Sequence, residues 1–238
     1  MRAWLNLRNN LPVRDKAFTM GLRRLGYAVE RGLTLDPGPD DIFVTWNRIG
    51  TAHTVAAVFE SRGLPVLVAE NAAWGNEFAG QQWWSLARNR HNTLGCFEDG
   101  GKDRWDVLDV EPAPWRKAGE TVILPQRGIG APPTMMPVGW PESAKARFGG
   151  RVRRHPGNRP SLSLECDLAM CGRVVTWGSG AGVKAALWGI PVVAEMPDWI
   201  GSQDNTDAGR LAMLRHLAWA QWRPSELASG DAFARLLA

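Results

Sequence analysis

Tyrosine, cysteine and histidine are scarce in this chain of 238 residues, which holds one Tyr, three Cys and four His. Cys96, Cys166 and Cys171 are odd in number and form no C-x-x-C pair, which excludes a disulfide framework and a zinc knuckle. His53, His91, His155 and His216 are scattered, with no H-E-x-x-H helix, so no metal centre is expected. No apolar run approaches the ~18 residues that a membrane span requires. The opening MRAWLNLRNNLP lacks the continuous apolar stretch of a secretory leader. The expectation is a soluble, cytoplasmic protein without a membrane span. Hydrophobic residues at 45% and charged residues at 22% supply enough apolar surface to offset the entropy of ordering, which excludes a disordered scaffold.

What is present is unevenly placed. Residues 1–119 carry 15 basic and 14 acidic side chains, and the remainder 13 and 10, so most of the net charge of +4 lies in the second half. Lys145, Arg147, Arg151, Arg153, Arg154 and Arg159 follow one another with no acidic residue between them. Such a stretch is either a solvated face or a surface for a phosphate-bearing partner. Thirteen Trp serve cores, interfaces and stacking platforms alike.

Short β-rich runs alternate with helical patterns, the mark of an α/β protein with parallel sheets. Strands are expected at 3–7, 42–46 and 65–69, and helices at 14–25, 51–62 and 79–89. The charged, Pro-bearing stretch from about 96 to 120 reads as a linker. Strands at 121–125, 151–155, 173–177 and 190–194 follow, with helices near 141–148, 161–170 and 181–188, and two terminal helices at 206–222 and 225–237. No internal repeat or biased tract stands out. The expected division is 1–118 and 119–238, two Rossmann-like domains facing across a cleft.

In open parallel sheets ligands bind beyond the carboxyl ends of the strands, so the residues that follow each strand are the candidates. In the first half these are Asn9 and Asn10, Asn47 and Arg48, and Glu70 and Asn71. In the second they are Arg127 and Gly128, Arg153 and His155, Gly178, Ser179 and Gly180, and Glu195. The sharpest stretch is RVVTWGSGAGVKAALWGIPVV (173–193), where a strand enters a small-residue loop and then a helix. Bare glycine backbone and the N–H groups opening a helix suit a diphosphate, with the Ser179 hydroxyl as a further donor and Lys184 one turn inside. A tight strand-to-helix turn that needs small residues is the plainer reading. The loop is no P-loop, since no Gly-Lys-Ser/Thr closes it, and no hydrolase elbow, since Trp177 stands where G-x-S-x-G requires glycine.

The stretches RRHPG (153–157) and VVTWGSGAGVKAALWGIPVV (174–193) resemble the donor-binding domain of GT-B-type glycosyltransferases and their capsule-polysaccharide relatives, over roughly residues 120–206. More faintly, WIGSQDNTD and the tail resemble phage proteins with glycosyltransferase-like cores. The resemblance implies a compact GT-B-like fold, a nucleotide-diphosphate sugar as donor, UDP-linked, on the second domain, and an acceptor on the first. It implies that Gly178, Ser179 and Gly180 hold the diphosphate and that His155 lies near the phosphates or the sugar. Where the family has a ribose-binding Glu inside the following helix, this chain has Lys184, and Glu195 is expected to take that contact.

Negative charge builds on a leaving diphosphate, so backbone N–H groups, Arg127, Arg153 and Lys184 are expected to stabilise it without a metal. The acceptor hydroxyl needs a general base, for which Glu70 and His91 are the candidates. Asn9, Asn10, Asn47, Arg48, Asn71 and Trp74 form the acceptor side. The acceptor expected first is a hydroxymethylated base in double-stranded DNA, as in phage DNA modification, with Trp74, Trp83 or Trp84 filling the gap left by a flipped base. A surface glycan is the rival acceptor. A nucleotide-sugar epimerase and a non-catalytic nucleic-acid-binding accessory protein are the other classes.

Overall fold

The computed structural model describes residues 1–7, 11–90, 97–128, 134–155 and 162–238. The chain gathers into two compact units, one of Met1–Gly101 with Ala218–Ala238 and the other of Lys102–Leu217.

The first unit contains β1 (Arg2–Asn6), α1 (Pro12–Arg24), β2 (Ala28–Arg31), β3 (Ile42–Trp46), α2 (Thr51–Ser61), β4 (Val66–Asn71), the short β5 (Glu77–Phe78) and β6 (Gln81–Gln82), and β7 (Trp84–Arg88). The second contains α3 (Asp103–Asp106), β8 (Glu120–Leu124), α4 (Trp140–Phe148), β9 (Arg151–Val152), α5 (Leu164–Asp167), β10 (Cys171–Thr176), α6 (Gly180–Leu187), β11 (Val192–Ala194) and α7 (Asp207–Ala218). The chain then returns to the first unit as β12 (Gln221–Trp222), α8 (Pro224–Ser229) and α9 (Asp231–Leu237).

The first sheet has six strands in the order β12-β7-β4-β3-β1-β2, parallel from β2 to β4, with β7 antiparallel to β4 and β12 antiparallel to β7. The second has four parallel strands in the order β11-β10-β8-β9. Both therefore share one plan: the second strand of the unit lies beside the first, and the third and fourth lie on its other side. The chain reverses direction across the sheet between first and third strand, which opens a crevice at their carboxyl ends.

The plan is written in matching residues. Phe43-Val44-Thr45-Trp46 closes β3, and Val174-Val175-Thr176 closes β10 with Trp177 next; Gly63-Leu64-Pro65 leads into β4 at Val66 and Gly189-Ile190-Pro191 into β11 at Val192; Ala-Glu follows in both, at 69–70 and 194–195. The helix ends match as well. Gly63 and Gly189 both sit at φ +72°, and the N–H of the next residue, Leu64 or Ile190, bonds back to Phe59 O or Ala185 O at 2.9 Å in each case. This is a Schellman ending, whose left-handed residue favours glycine. Phe43 N then meets Pro65 O at 3.0 Å, and Val174 N meets Pro191 O at 2.9 Å. The chain thus carries an internal repeat that inspection of the sequence does not suggest, because the segment between Trp and Gly is five residues longer in the first copy.

Three further elements depart from expectation. Residues 79–89 form the turn after β5, then β6 and β7, not a helix, because Trp84 and Leu86 face one apolar layer while Ser85 and Ala87 face the other. The terminal helix breaks at Gly230, φ +94°, into α8 and α9, which pack Leu227, Phe233 and Leu236 with Phe18 and Leu22 of α1. The expected linker is instead strapped to the second unit from Lys102 onward. Arg116 donates to the carbonyls of Leu168, Ala169 and Cys171 at 2.7–3.0 Å, and buried Arg210 donates to Ala113 O at 2.7 Å. Among the described residues no helix is long and apolar enough to cross a membrane.

Candidate functional site

The carboxyl edge of the second sheet is organised around Thr176. Its hydroxyl donates to Leu124 O at 3.0 Å across the β8–β10 pair and accepts from Ser179 N at 3.1 Å. Gln126, two residues beyond β8, donates to Gly178 O at 2.7 Å and so ties the loop after β8 to the loop before α6. Ser179 is the N-cap of α6, its hydroxyl accepting from Ala181 N at 3.2 Å. Its oxygen is thus occupied as an acceptor while its O–H hydrogen remains able to donate. Lys184 is half-buried and has no ion-pair partner among the described residues.

Two glycines of this loop leave room for packing. A Cβ on Gly178 would approach Met196 Cε to 2.9 Å, and one on Gly182 would approach Trp199 Cη2 to 2.9 Å. The bare backbone lets Met196 and Trp199 close over the loop. Gly180 begins the helix, where the first N–H groups have no intrahelical acceptor.

Arg127, His155 and Arg153 converge at the ends of β8 and β9. Partial burial lowers the His155 pKa from its ordinary value, and the charges of Arg127 and Arg153 lower it further. Arg127 is exposed and has neither a hydrogen bond nor an ion pair among the described residues. Gly128 follows it at φ +65° with open space where a Cβ would stand. Arg153 is committed elsewhere: it pairs with Asp167, and both side chains are largely buried. Glu195 is committed too. Arg147 holds it at 2.6 Å and Trp140 Nε1 donates to it at 2.6 Å, and the Arg147 hydrogen bond, despite partial burial, keeps the carboxyl below its usual range.

The basic stretch expected to face a polyanion is largely neutralised within the molecule. Arg147 pairs with Glu195, Arg151 with Glu120 and Asp167, Arg153 with Asp167, and Arg154 with Glu142. Arg159 lies outside the described residues.

In the first unit, Thr45 occupies the place of Thr176, its hydroxyl 3.5 Å from Asn6 O and 3.1 Å from Asn47 O. Asn47 turns the chain at φ +61°. Arg48 forms a bidentate pair with Glu60 of α2, its NH2 at 2.6 Å, and also meets the Asn89 carbonyl, so it clamps a loop to a helix. Glu70 is buried on β4, with Ser85 of β7 directly opposite and Gln221 of β12 opposite Ser85. Asn71 is exposed and accepts from Asn76 Nδ2 at 3.0 Å. Trp74 and Trp83 are 2% exposed and Trp84 1%, all three packed in cores and none presented as a wedge. Asn9, Asn10 and His91 lie outside the described residues. Reading strand ends finds Gln126 beside Arg127 but misses Thr176 and Arg14, although the repeated Val-Thr-Trp marks Thr176. Arg14, 2% exposed on α1, holds its guanidinium 3.7 Å above the Trp46 ring.

Two α/β sheets whose first four strands run parallel on one plan give a Rossmann-like fold. Solved structures share it: KpsC from Thermosulfurimonas dismutans, a beta Kdo 2,4 transferase, aligns with TM-score 0.54 and 15% identity over 94% of this chain and 92% of that one. The beta Kdo 2,7 transferase of the same KpsC aligns with TM-score 0.53 and 11% identity over 98% and 99%. At such identity the likeness is one of fold. No family model matches the sequence, and no curated protein matches it significantly.

Proposed function

We propose that the protein is a glycosyltransferase that moves a sugar from a nucleotide-diphosphate donor to an acceptor hydroxyl. The observation that carries this reading is Arg127, an exposed guanidinium without a partner among the described residues, beside His155 and on the same sheet edge as the start of α6. The structural neighbours that share the fold end to end are sugar transferases, which favours sugar transfer over other phosphate chemistry.

The chemistry follows from charge. As the glycosidic bond to the donor breaks, the diphosphate gains charge, which Arg127, Lys184 and the first α6 amides are set to stabilise. Glu70 is the general-base candidate of the first unit. A glycan is the favoured acceptor, because the pairing of Arg147, Arg151, Arg153 and Arg154 and the burial of Trp74, Trp83 and Trp84 remove the features that suited duplex DNA.

Incubation with a panel of nucleotide sugars, UDP-linked first, alone and then with oligosaccharides or hydroxymethylated DNA, tests the reading by mass spectrometry. Sugar mass added to an oligosaccharide is the expected result. Epimerised donor without transfer, or mass on DNA alone, would replace the reading with another.

A further inference from the structure

We infer that the β5–β6 hairpin is the acceptor platform, and that it fits a neutral, hydroxyl-rich glycan chain and not a polyanion. The inference rests on the transferase reading and adds to it the class of acceptor. The hairpin is inserted directly after β4, at the carboxyl edge of the first sheet where ligands of such sheets bind. It has no counterpart in the second copy of the repeat, where Glu195 leads instead to Met196 and Trp199. Binding residues are carried disproportionately by loops set on a rigid scaffold, and this insertion is such a segment.

The hairpin is built to hold its shape. Trp74 stacks on Phe78 with centroids 5.1 Å apart and meets Trp83 edge-on at 5.2 Å, and Trp83 Nε1 donates to Phe78 O at 2.9 Å. Ala79 and Gly80 turn it at φ +49° and +68°, the signs of a type I′ turn. Asn76 fastens its base, accepting from Ala72 N at 3.1 Å and donating to Asn71.

Amides are exposed on both of its faces, Gln81 across from Phe78 and Gln82 across from the exposed Glu77. Asn71, Gln81 and Gln82 are exposed, and no Lys or Arg occurs from Val66 to Ala87, where the charged residues are Glu70 and Glu77. Arg223, which reaches Gln81 at 3.4 Å, is itself paired with Glu226. A side-chain amide both donates and accepts, which matches the hydroxyls of a sugar, while the missing cations leave nothing to neutralise successive phosphates.

Side-chain amide NMR of the full-length protein tests this, with neutral oligosaccharides of several linkages, an acidic oligosaccharide and a short DNA duplex added in turn. At least one neutral oligosaccharide should shift the Gln81 and Gln82 resonances saturably. The double variant Gln81→Ala/Gln82→Ala should bind it about tenfold more weakly, as expected for two lost hydrogen bonds, with unchanged thermal unfolding. Nucleoside-diphosphate affinity, read by calorimetry on the same variant, should not change; if it is absent in the parent protein the transferase reading fails, whatever the hairpin does. Silence of the hairpin resonances toward every neutral glycan at millimolar concentration, or their response to DNA alone, overturns the inference.

Discussion

The hydroxyl of Thr176 donates to the carbonyl of Leu124 at 3.0 Å, joining the ends of the third and first strands of the second unit where its crevice opens. The same hydroxyl receives Ser179 N, so one buried atom fixes both the strand pair and the approach to α6. Thr176→Val keeps the volume and strands two polar groups. Stability should fall by about 1–3 kcal/mol, and nucleotide affinity should fall with it. Urea unfolding and calorimetry on the same preparation check both.

Arg127→Ala should separate binding from folding. The side chain is exposed and unpaired among the described residues, so unfolding should be unchanged, while affinity for a nucleoside diphosphate should fall about tenfold or more, as for a lost charge-assisted contact. Arg153→Ala should do the reverse, because it removes the more buried of the two arginines that hold Asp167, leaving Arg151 as its partner.

His155 gives the affinity a pH profile. Burial and the nearby arginines lower its pKa and so disfavour the imidazolium, and a bound anion that favours the imidazolium should bind more tightly as pH falls. His155→Gln should flatten that rise. An equal slope in both proteins would assign the pH dependence elsewhere.

Asp41 offers a test of the first unit alone. Burial pushes its carboxyl up, but hydrogen bonds from Arg2, Gly38 N and Trp4 bring it down to about 2 from 3.8. A lowered folded-state pKa adds stability that is complete above pH 3.8 and lost as pH falls toward 2. Asp41→Asn should cost up to ~2 kcal/mol at neutral pH, reduced by the exposure of Arg2, and the difference should shrink on acidification.

Ala79 holds φ +49° without being glycine. Ala79→Asn places a residue that tolerates this conformation in the turn, and should raise stability by about 0.5–1 kcal/mol in thermal unfolding.

The parallel strands are legible in the sequence because continuous apolar runs, such as Ile42–Trp46 and the run around Val174 and Val175, have no polar face to confuse their period. The β7 strand is not, since Gln, Leu, Ala and Arg around 81–88 suit a helix, and only pairing on both sides with β4 and β12 makes them a strand. Strand ends locate the edge of each sheet, yet not which cations stay uncommitted there. Arg48, Arg153 and Glu195 find partners 12, 14 and 48 residues away, distances at which sequence patterns are silent. Glycine in the loop at 178–182 reads equally well as ligand approach or as packing, and only the fold shows that Met196 and Trp199 stand where a Cβ on Gly178 or Gly182 would go.

Isothermal titration of UDP into the parent protein and into Arg127→Ala is the most direct test of a phosphate site at the edge of the second sheet. Saturable one-to-one binding should weaken about tenfold in the variant while its unfolding curve stays superimposable. Equal affinity in the two proteins, or no heat of binding from UDP or any other nucleoside diphosphate, would contradict it.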